Sequence, residues 1–227
     1  MQRALWIPID TSNDDSRPQC SSPRLYDSDD DDDRTFATRA RALTQGLLPS
    51  NLLELTMSGL VEKLKPHKPL HEGAKVPDGT LLKEDNPEQA TVDLSKIGGK
   101  YIIIGVPGAF TPPCSSHVPG FVEQASQFAE KGIKGIYVVG VNDQFTMAAW
   151  KEKLGADKAE NVHFLADDTN SFTKQAGMDF DATGLLGGVR SQRYAAIVED
   201  GTVKSVWVED QAPSVTVTSA DNVLKAL

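Results

Sequence analysis

The most regular stretch of the chain begins at Tyr101. The run Tyr101-Ile102-Ile103-Ile104-Gly105-Val106 is apolar throughout and is closed by Pro107-Gly108. A run of that length, rich in isoleucine, predicts a strand buried on both faces. Val118, Phe121, Val122, Ala125, Phe128 and Ala129 follow at helical spacing. They predict one helix over about 114–130, which Gly132 closes. Pro119 falls inside it, and its ring crowds the Ser115 carbonyl, so a kink is expected after the first turn. Residues 136–141 predict a second buried strand. Asn142 or Asp143 can cap a helix over 144–154 that turns Phe145, Ala148, Ala149 and Trp150 inward. A third strand is expected at 162–165 and a short helix at 169–177, ending at Gly177. Two further strands, 194–198 and 203–208, flank Glu199-Asp200-Gly201, a tight hairpin signal. Ser219 can cap a last helix with Val223, Leu224 and Leu227 on one face. Upstream, residues 60–99 carry turn signals at Pro77-Asp78-Gly79 and Gly98-Gly99, consistent with an opening hairpin or loops.

Strands alternating with helices and closing in a hairpin predict a mixed α/β architecture, a central sheet flanked by helices. That order resembles a thioredoxin-like domain, expected over 58–227. The residues before it differ in character. Residues 1–33 hold three arginines against nine aspartates, with the run Asp27-Ser28-Asp29-Asp30-Asp31-Asp32-Asp33. Such a segment repels itself and has little to bury, so it reads as a disordered acidic tail. Residues 34–56 hold three arginines and no acid before Glu54. Their composition is that of a mitochondrial transit peptide, although their position behind an acidic tail is not. Two readings stay open for 1–56. One is a tail followed by a linker in a cytoplasmic protein. The other is a targeting segment in a chain that has a shorter form.

The net charge of −9 argues against nucleic acid or an anionic membrane as the main partner, since both select a basic footprint. No apolar run is long enough to span a bilayer. Two cysteines, Cys20 and Cys114, are too few for a disulfide scaffold or a four-cysteine zinc site. His67 and His71 are separated by Pro69, which argues against two metal ligands on one helical turn.

The candidate for chemistry is Cys114. It lies after a buried strand, where a loop becomes a helix. Unpaired N–H groups and the helix dipole both favour a thiolate there, and a functional thiolate is expected to be reachable from solvent. Thr111 stands three residues earlier. Free cysteines are also commonly buried and inert, so position alone leaves both readings open. Several chemistries drop out. There is no Cys-x-x-Cys of a dithiol oxidoreductase. Position 120 is Gly, so the Cys-x5-Arg loop of cysteine phosphatases is missing. Neither His117 nor His163 matches a Cys–His hydrolase signature.

The segment Pro107-Gly108-Ala109-Phe110-Thr111-Pro112-Pro113-Cys114-Ser115-Ser116-His117-Val118-Pro119-Gly120-Phe121 closely resembles the active-site segment of peroxiredoxins, most of all the type-5 (plant type-II) subfamily. Arg190-Ser191-Gln192-Arg193-Tyr194, Val141-Asn142-Asp143 and Phe164-Leu165-Ala166-Asp167 extend the resemblance over about 58–227. It implies a thiol peroxidase acting on hydrogen peroxide and alkyl hydroperoxides through a cysteine sulfenic acid, without metal, haem or flavin. Cys114 is implied as the nucleophile. Thr111 would hydrogen-bond the thiolate and the peroxide, and Pro107 would shield the sulfur. Arg193 would stabilise the thiolate and polarise the peroxide, with Arg190 as its competitor. His117 reads as a helix-cap or packing residue, and Phe121 and Trp207 as core. A homodimer is implied by resemblance alone. A second function stays open: a redox sensor that relays oxidation from Cys114 to partner proteins.

The chain departs from the family in two places. Pro113, before the cysteine, has no N–H to offer the peroxide, which leaves the amide of Cys114. The positions of resolving cysteines also lack a thiol. The one matching some plant relatives falls near Val139, and no cysteine follows Cys114. Cys20 is the remaining candidate resolver, as in some fungal relatives. The preferred expectation is a one-cysteine cycle, with glutathione, glutaredoxin or thioredoxin as reductant.

Overall fold

The structure, a computed structural model, describes residues 67–227. The acidic tail, the 34–56 segment and Cys20 lie outside the described residues. Among the described residues nine strands and six α-helices follow in the order β1 (Leu82–Lys83), β2 (Ala90–Val92), β3 (Lys100–Val106), α1 (Pro112–Glu123), α2 (Ala125–Glu130), β4 (Ile133–Gly140), α3 (Gln144–Lys153), β5 (Val162–Ala166), α4 (Ser171–Gln175), β6 (Asp179–Asp181), α5 (Thr183–Leu186), β7 (Val189–Ser191), β8 (Tyr194–Glu199), β9 (Thr202–Val208) and α6 (Ala220–Lys225). Seven strands form one sheet in the order β2-β1-β5-β4-β3-β8-β9, and β6 and β7 pair separately. The β3–β4 and β4–β5 pairs are parallel, while β3–β8 and β8–β9 are antiparallel. This is the expected mixed α/β, thioredoxin-like sheet flanked by helices.

The continuous apolar run of β3 is explained by burial on both faces. Ile102, Ile104 and Val106 pack with Val118, Phe121, Phe128 and Trp150 on one face. Tyr101 and Ile103 pack with Leu82, Leu165, Phe172 and Tyr194 on the other. Alternate side chains of a strand point to opposite faces, so both sets must be apolar. Gly105 is required by close packing, because a Cβ there would sit 2.0 Å from the Tyr194 ring.

Two expectations are corrected, and three short elements are added. The helix predicted over 114–130 starts earlier, at Pro112, and is two helices. It runs through Pro119 and breaks instead at Gln124 (φ −98°, ψ 12°). Hydrogen bonds to distant elements anchor both sides of the break: Gln124 Nε2 donates to Asp221 Oδ1 at 2.7 Å, and Asn161 Nδ2 to the Ala125 carbonyl at 3.1 Å. The inward face of α3 is also different. Gln144, Met147 and Trp150 are buried, Ala148 and Ala149 are exposed, and Phe145 is 72% exposed. Only one stripe of a helix can face the sheet, and the stripe carrying Trp150 holds it. Finally, β6, α5 and β7 lie between the predicted elements, too short to leave a periodic signal.

Three local signals hold. Asp143, not Asn142, caps α3, accepting from the Thr146 amide at 2.9 Å. Asp200 and Gly201 both take positive φ (48° and 68°) in the β8–β9 turn, the geometry that suits a two-residue hairpin. Gly132 leaves α2 at φ 86°.

Candidate active site

The site is built where β3 ends. Pro107 and Gly108 are buried and the chain then turns sharply. Phe110 takes φ 62°, a conformation that costs a bulky residue about 1–3 kcal/mol. Hydrogen bonds around it hold the strained turn. The Ala109 amide donates to Asn142 Oδ1 at 3.0 Å, and the Thr111 amide and hydroxyl both donate to the Gly108 carbonyl, at 3.4 and 3.0 Å. The Thr111 proton therefore goes to Gly108 and not to sulfur. The lone pairs of its oxygen remain free to accept.

Thr111 is the N-cap of α1, and Pro112 and Pro113 occupy the first helical positions. Proline suits that place because its φ is already helical and the first N–H groups of a helix have no partner. Neither proline has an N–H, and the Ser115 amide bonds the Thr111 carbonyl at 2.9 Å. The Cys114 amide is thus the one free N–H in the first turn. The departure at Pro113 concentrates the donor capacity of this helix end on the nucleophile's own amide.

Cys114 is fully buried. Its Sγ accepts from Arg193 Nη2 at 3.4 Å. Arg193, directly before β8, is itself 1% exposed. Its Nε and Nη2 both donate to the Ala212 carbonyl, at 3.0 and 2.8 Å. Its Nη1 lies 3.3 Å from His117 Nδ1, and His117 Nε2 lies 2.8 Å from the Thr218 carbonyl. A carbonyl only accepts, so Nε2 carries the proton and Nδ1 accepts from the guanidinium. Burial pushes the His117 pKa down to about 4. The Thr218 carbonyl opposes that shift and the Arg193 charge adds to it. The ring is neutral at physiological pH. His117 is thus more than a packing residue: it links α1, Arg193 and the segment after β9. Its ring also packs edge-on against Phe121, centroids 5.5 Å apart. Phe121 is in the core, as expected, and Trp207 packs half-buried against it.

Arg190, the competitor, is occupied elsewhere. Its Nη1 donates to the Val141 carbonyl at 2.6 Å and its Nη2 to the Leu186 carbonyl at 2.9 Å. It ties the β6–β7 hairpin to the end of β4 and does not reach sulfur.

A pocket of about 510 Å³ opens beside this cluster, lined by Pro107, Thr111, Pro113, Leu185, Leu186 and Arg193 among others. It brings three of the four predicted site residues together at one surface. The expectation of a solvent-reachable sulfur is not met: Cys114 has no exposed surface, because the first turn of α1 directs it inward against Arg193. A peroxide in the pocket meets Thr111 and Arg193 first.

Sequence reasoning missed two contributors. Asn142, expected as a helix cap, uses its side chain to hold the Ala109 amide. Glu209 is buried just past β9 and accepts from the amides and hydroxyls of Thr216 and Thr218 at 2.6–2.9 Å. Two threonines spaced by two, behind an acid that ends an apolar strand, were the available signal.

The Redoxin family model matches residues 71–224. Among individual proteins, the chain is 51% identical over 155 residues to Peroxisomal membrane associated protein 20 of Schizosaccharomyces pombe, covering 68% of this chain and 97% of that protein. It is 42% identical over 163 residues to Peroxiredoxin-2B of Arabidopsis thaliana, covering 70% and 99%. Among solved structures, reduced Prx3 of Vibrio vulnificus in complex with hydrogen peroxide superposes with a TM-score of 0.63 at 38% identity, over 69% of this chain and 98% of that one. Peroxiredoxin 5 of Alvinella pompejana gives 0.62 at 31% identity, over 70% and 97%. With a cysteine and an arginine in contact at the helix start, and with matches of this extent, the chain belongs to the Redoxin family and, within it, to the peroxiredoxins, the thiol peroxidases of antioxidant defence.

Proposed function

We propose that Cys114 is the peroxidatic nucleophile, acting on hydrogen peroxide and small alkyl hydroperoxides. The thiolate attacks the terminal peroxide oxygen. The O–O bond breaks and its electron pair leaves on the second oxygen, which takes a proton from solvent to become water or an alcohol. Cys114 is left as a sulfenic acid. Arg193 and the Cys114 amide are fixed donors for the charge that develops on oxygen, held in place before the reaction begins. Thr111 accepts a hydrogen bond from the peroxide O–H through its free lone pairs, and Pro107 limits the pocket.

The observation that carries this reading is the contact between Arg193 Nη2 and Cys114 Sγ. Among the described residues no carboxylate lies within ion-pair distance of this buried guanidinium. A buried cation without a counter-charge is costly, and a thiolate at Cys114 supplies one. Family membership favours peroxidase turnover over the relay of oxidation to partner proteins.

For the second half-reaction we propose a one-cysteine cycle. A thiol of glutathione, glutaredoxin or thioredoxin attacks the sulfenic sulfur and releases water, and a second thiol frees Cys114. The apolar side chains exposed near the pocket, Phe110 (51%) and Leu185 (86%), suit burial in a homodimer. A cytoplasmic location, or a mitochondrial one directed by residues 34–56, follows from the sequence reading. The relatives include proteins named peroxisomal, chloroplastic and mitochondrial.

Rapid mixing of the full chain with hydrogen peroxide, with trapping of the oxidised sulfur, tests the reading. Wild type consumes peroxide and forms the trapped adduct, and Cys114→Ser does neither. Peroxide consumption at the wild-type rate by Cys114→Ser would overturn it. Non-reducing gels of wild type and Cys20→Ser after oxidation test the one-cysteine cycle: a disulfide that disappears in Cys20→Ser overturns it.

A further inference from the structure

Arg193 has to point one N–H at sulfur, yet it is a long side chain with many rotamers. What orients it is a single backbone oxygen. The Ala212 carbonyl accepts from both Nε and Nη2, at 3.0 and 2.8 Å. Accepting from two nitrogens at once fixes the plane of the guanidinium and leaves the second Nη2 hydrogen free to reach Sγ. His117 steadies the opposite edge through Nη1, and it is itself fixed by the Thr218 carbonyl. Both carbonyls, Ala212 and Thr218, therefore belong to the one segment between β9 and α6.

That segment has almost no regular structure. Glu209 closes it. Oε1 accepts from the Thr216 amide (2.6 Å), the Thr218 amide (2.9 Å) and the Thr218 hydroxyl (2.9 Å), and Oε2 accepts from the Thr216 hydroxyl (2.7 Å). The Glu209 amide in turn donates to the carbonyl of Arg193 itself at 3.0 Å. One carboxylate thus pins the far end of the segment to its near end, and its own backbone pins the near end to Arg193.

We propose, building on the reading of Cys114 and Arg193 above, that Glu209 is a positioning residue for the peroxidase reaction: by clamping the 209–218 segment it holds the Ala212 and Thr218 carbonyls that aim Arg193 at the Cys114 sulfur. The clamp has a second consequence. Its four hydrogen bonds engage both oxygens of Glu209 and keep them off the guanidinium. A carboxylate paired with Arg193 would compete with the thiolate as its counter-charge.

Three variants separate the clamp from the charge. Glu209→Ala removes all four acceptor contacts. Glu209→Gln keeps the shape: its carbonyl oxygen accepts from both amides and its NH₂ donates to a rotated Thr216 hydroxyl. Thr216→Ala combined with Thr218→Val removes the two hydroxyl donors and leaves the backbone donors in place. We expect the peroxide rate constant to fall about tenfold to a hundredfold in Glu209→Ala, the scale of an ångström-sized misplacement of a reacting group. Thiolate absorbance at neutral pH falls with it. Glu209→Gln restores most of both, and the threonine double variant lies between. Circular dichroism and thermal unfolding report the fold. Should Glu209→Ala fail to fold, the double variant decides in its place.

A folded Glu209→Ala, or failing that a folded double variant, that reacts as fast as wild type overturns the proposal. So does a Glu209→Gln as slow as Glu209→Ala, which would assign the effect to charge. Failure of the underlying reading looks different: wild type itself would then show no Cys114-dependent peroxide reaction.

Discussion

Arg193 Nη2 donates to Cys114 Sγ across 3.4 Å, although 79 residues separate the two in the chain. β3 and β8 are antiparallel neighbours, and Gly105 pairs with Tyr194. The residue before β8 and the helix that follows β3 therefore meet at one edge of the sheet. The contact is a product of strand pairing.

This contact separates the two arginines. Arg193→Gln should lower the rate constant for peroxide by about a hundredfold to a thousandfold, as loss of a transition-state donor does elsewhere. Arg190→Ala should leave the chemical step near wild type. It should instead lower stability by about 1–3 kcal/mol, since the Val141 and Leu186 carbonyls lose a charged donor. Rapid-mixing kinetics and denaturant unfolding of both variants check the pair.

Two buried groups make stability sensitive to acid. His117 is held near pKa 4 in the fold, chiefly by burial, against about 6.5 when unfolded. The unfolded chain binds the extra proton, so stability is lost as pH falls from about 6.5 to 4. The loss is about 3 kcal/mol by linkage. Burial pushes Glu209 up, but the hydrogen bonds from Thr216 and Thr218 together hold it at about 2. Its contribution is complete above its ordinary carboxylate value and is lost as pH falls from there towards 2. Unfolding free energies against pH should show the first slope vanish in His117→Asn and the second weaken in Glu209→Gln.

Gly105→Ala should be severely destabilising, by about 1–3 kcal/mol or more, because overpacking cannot be relieved between two buried strands. The added Cβ would sit 2.0 Å from the Tyr194 ring. Tyr194 adjoins Arg193, so peroxide reactivity should fall with stability. Chemical denaturation paired with a peroxide assay on the folded fraction tests both effects.

Pro113→Ala returns an N–H to the first turn of α1. The peroxide rate constant should rise, since a second amide joins that of Cys114. Stability should fall by about 0.4–1 kcal/mol as the unfolded chain gains freedom. An unchanged rate constant would mean that the Cys114 amide alone saturates the leaving oxygen.

Much of the domain was legible from local pattern. The apolar runs marked β3, β4 and β5 because each is buried on both sides of the sheet. Asp200-Gly201 marked the closing hairpin because both residues tolerate positive φ. The Pro107–Phe121 segment singled out Cys114 through its resemblance to a family's active-site segment, which is short enough to be read along the chain. On α3 Trp150 is inward as expected, but spacing by three and four admits two partners for it, Phe145-Ala148-Ala149 and Gln144-Met147, and the second set is the buried one. Only the position of the sheet chooses between them.

By itself, then, the order of residues determined the long strands and most of the helices, since each rests on neighbours a few positions apart, and the family resemblance of the Pro107–Phe121 segment singled out Cys114 as the candidate sulfur. Tertiary structure decided which arginine reaches that sulfur, which side chains orient it, and that Thr111 gives its proton to Gly108. Those choices depend on strand pairing and on a clamped segment joining residues far apart in the chain, and no local periodicity encodes such distances.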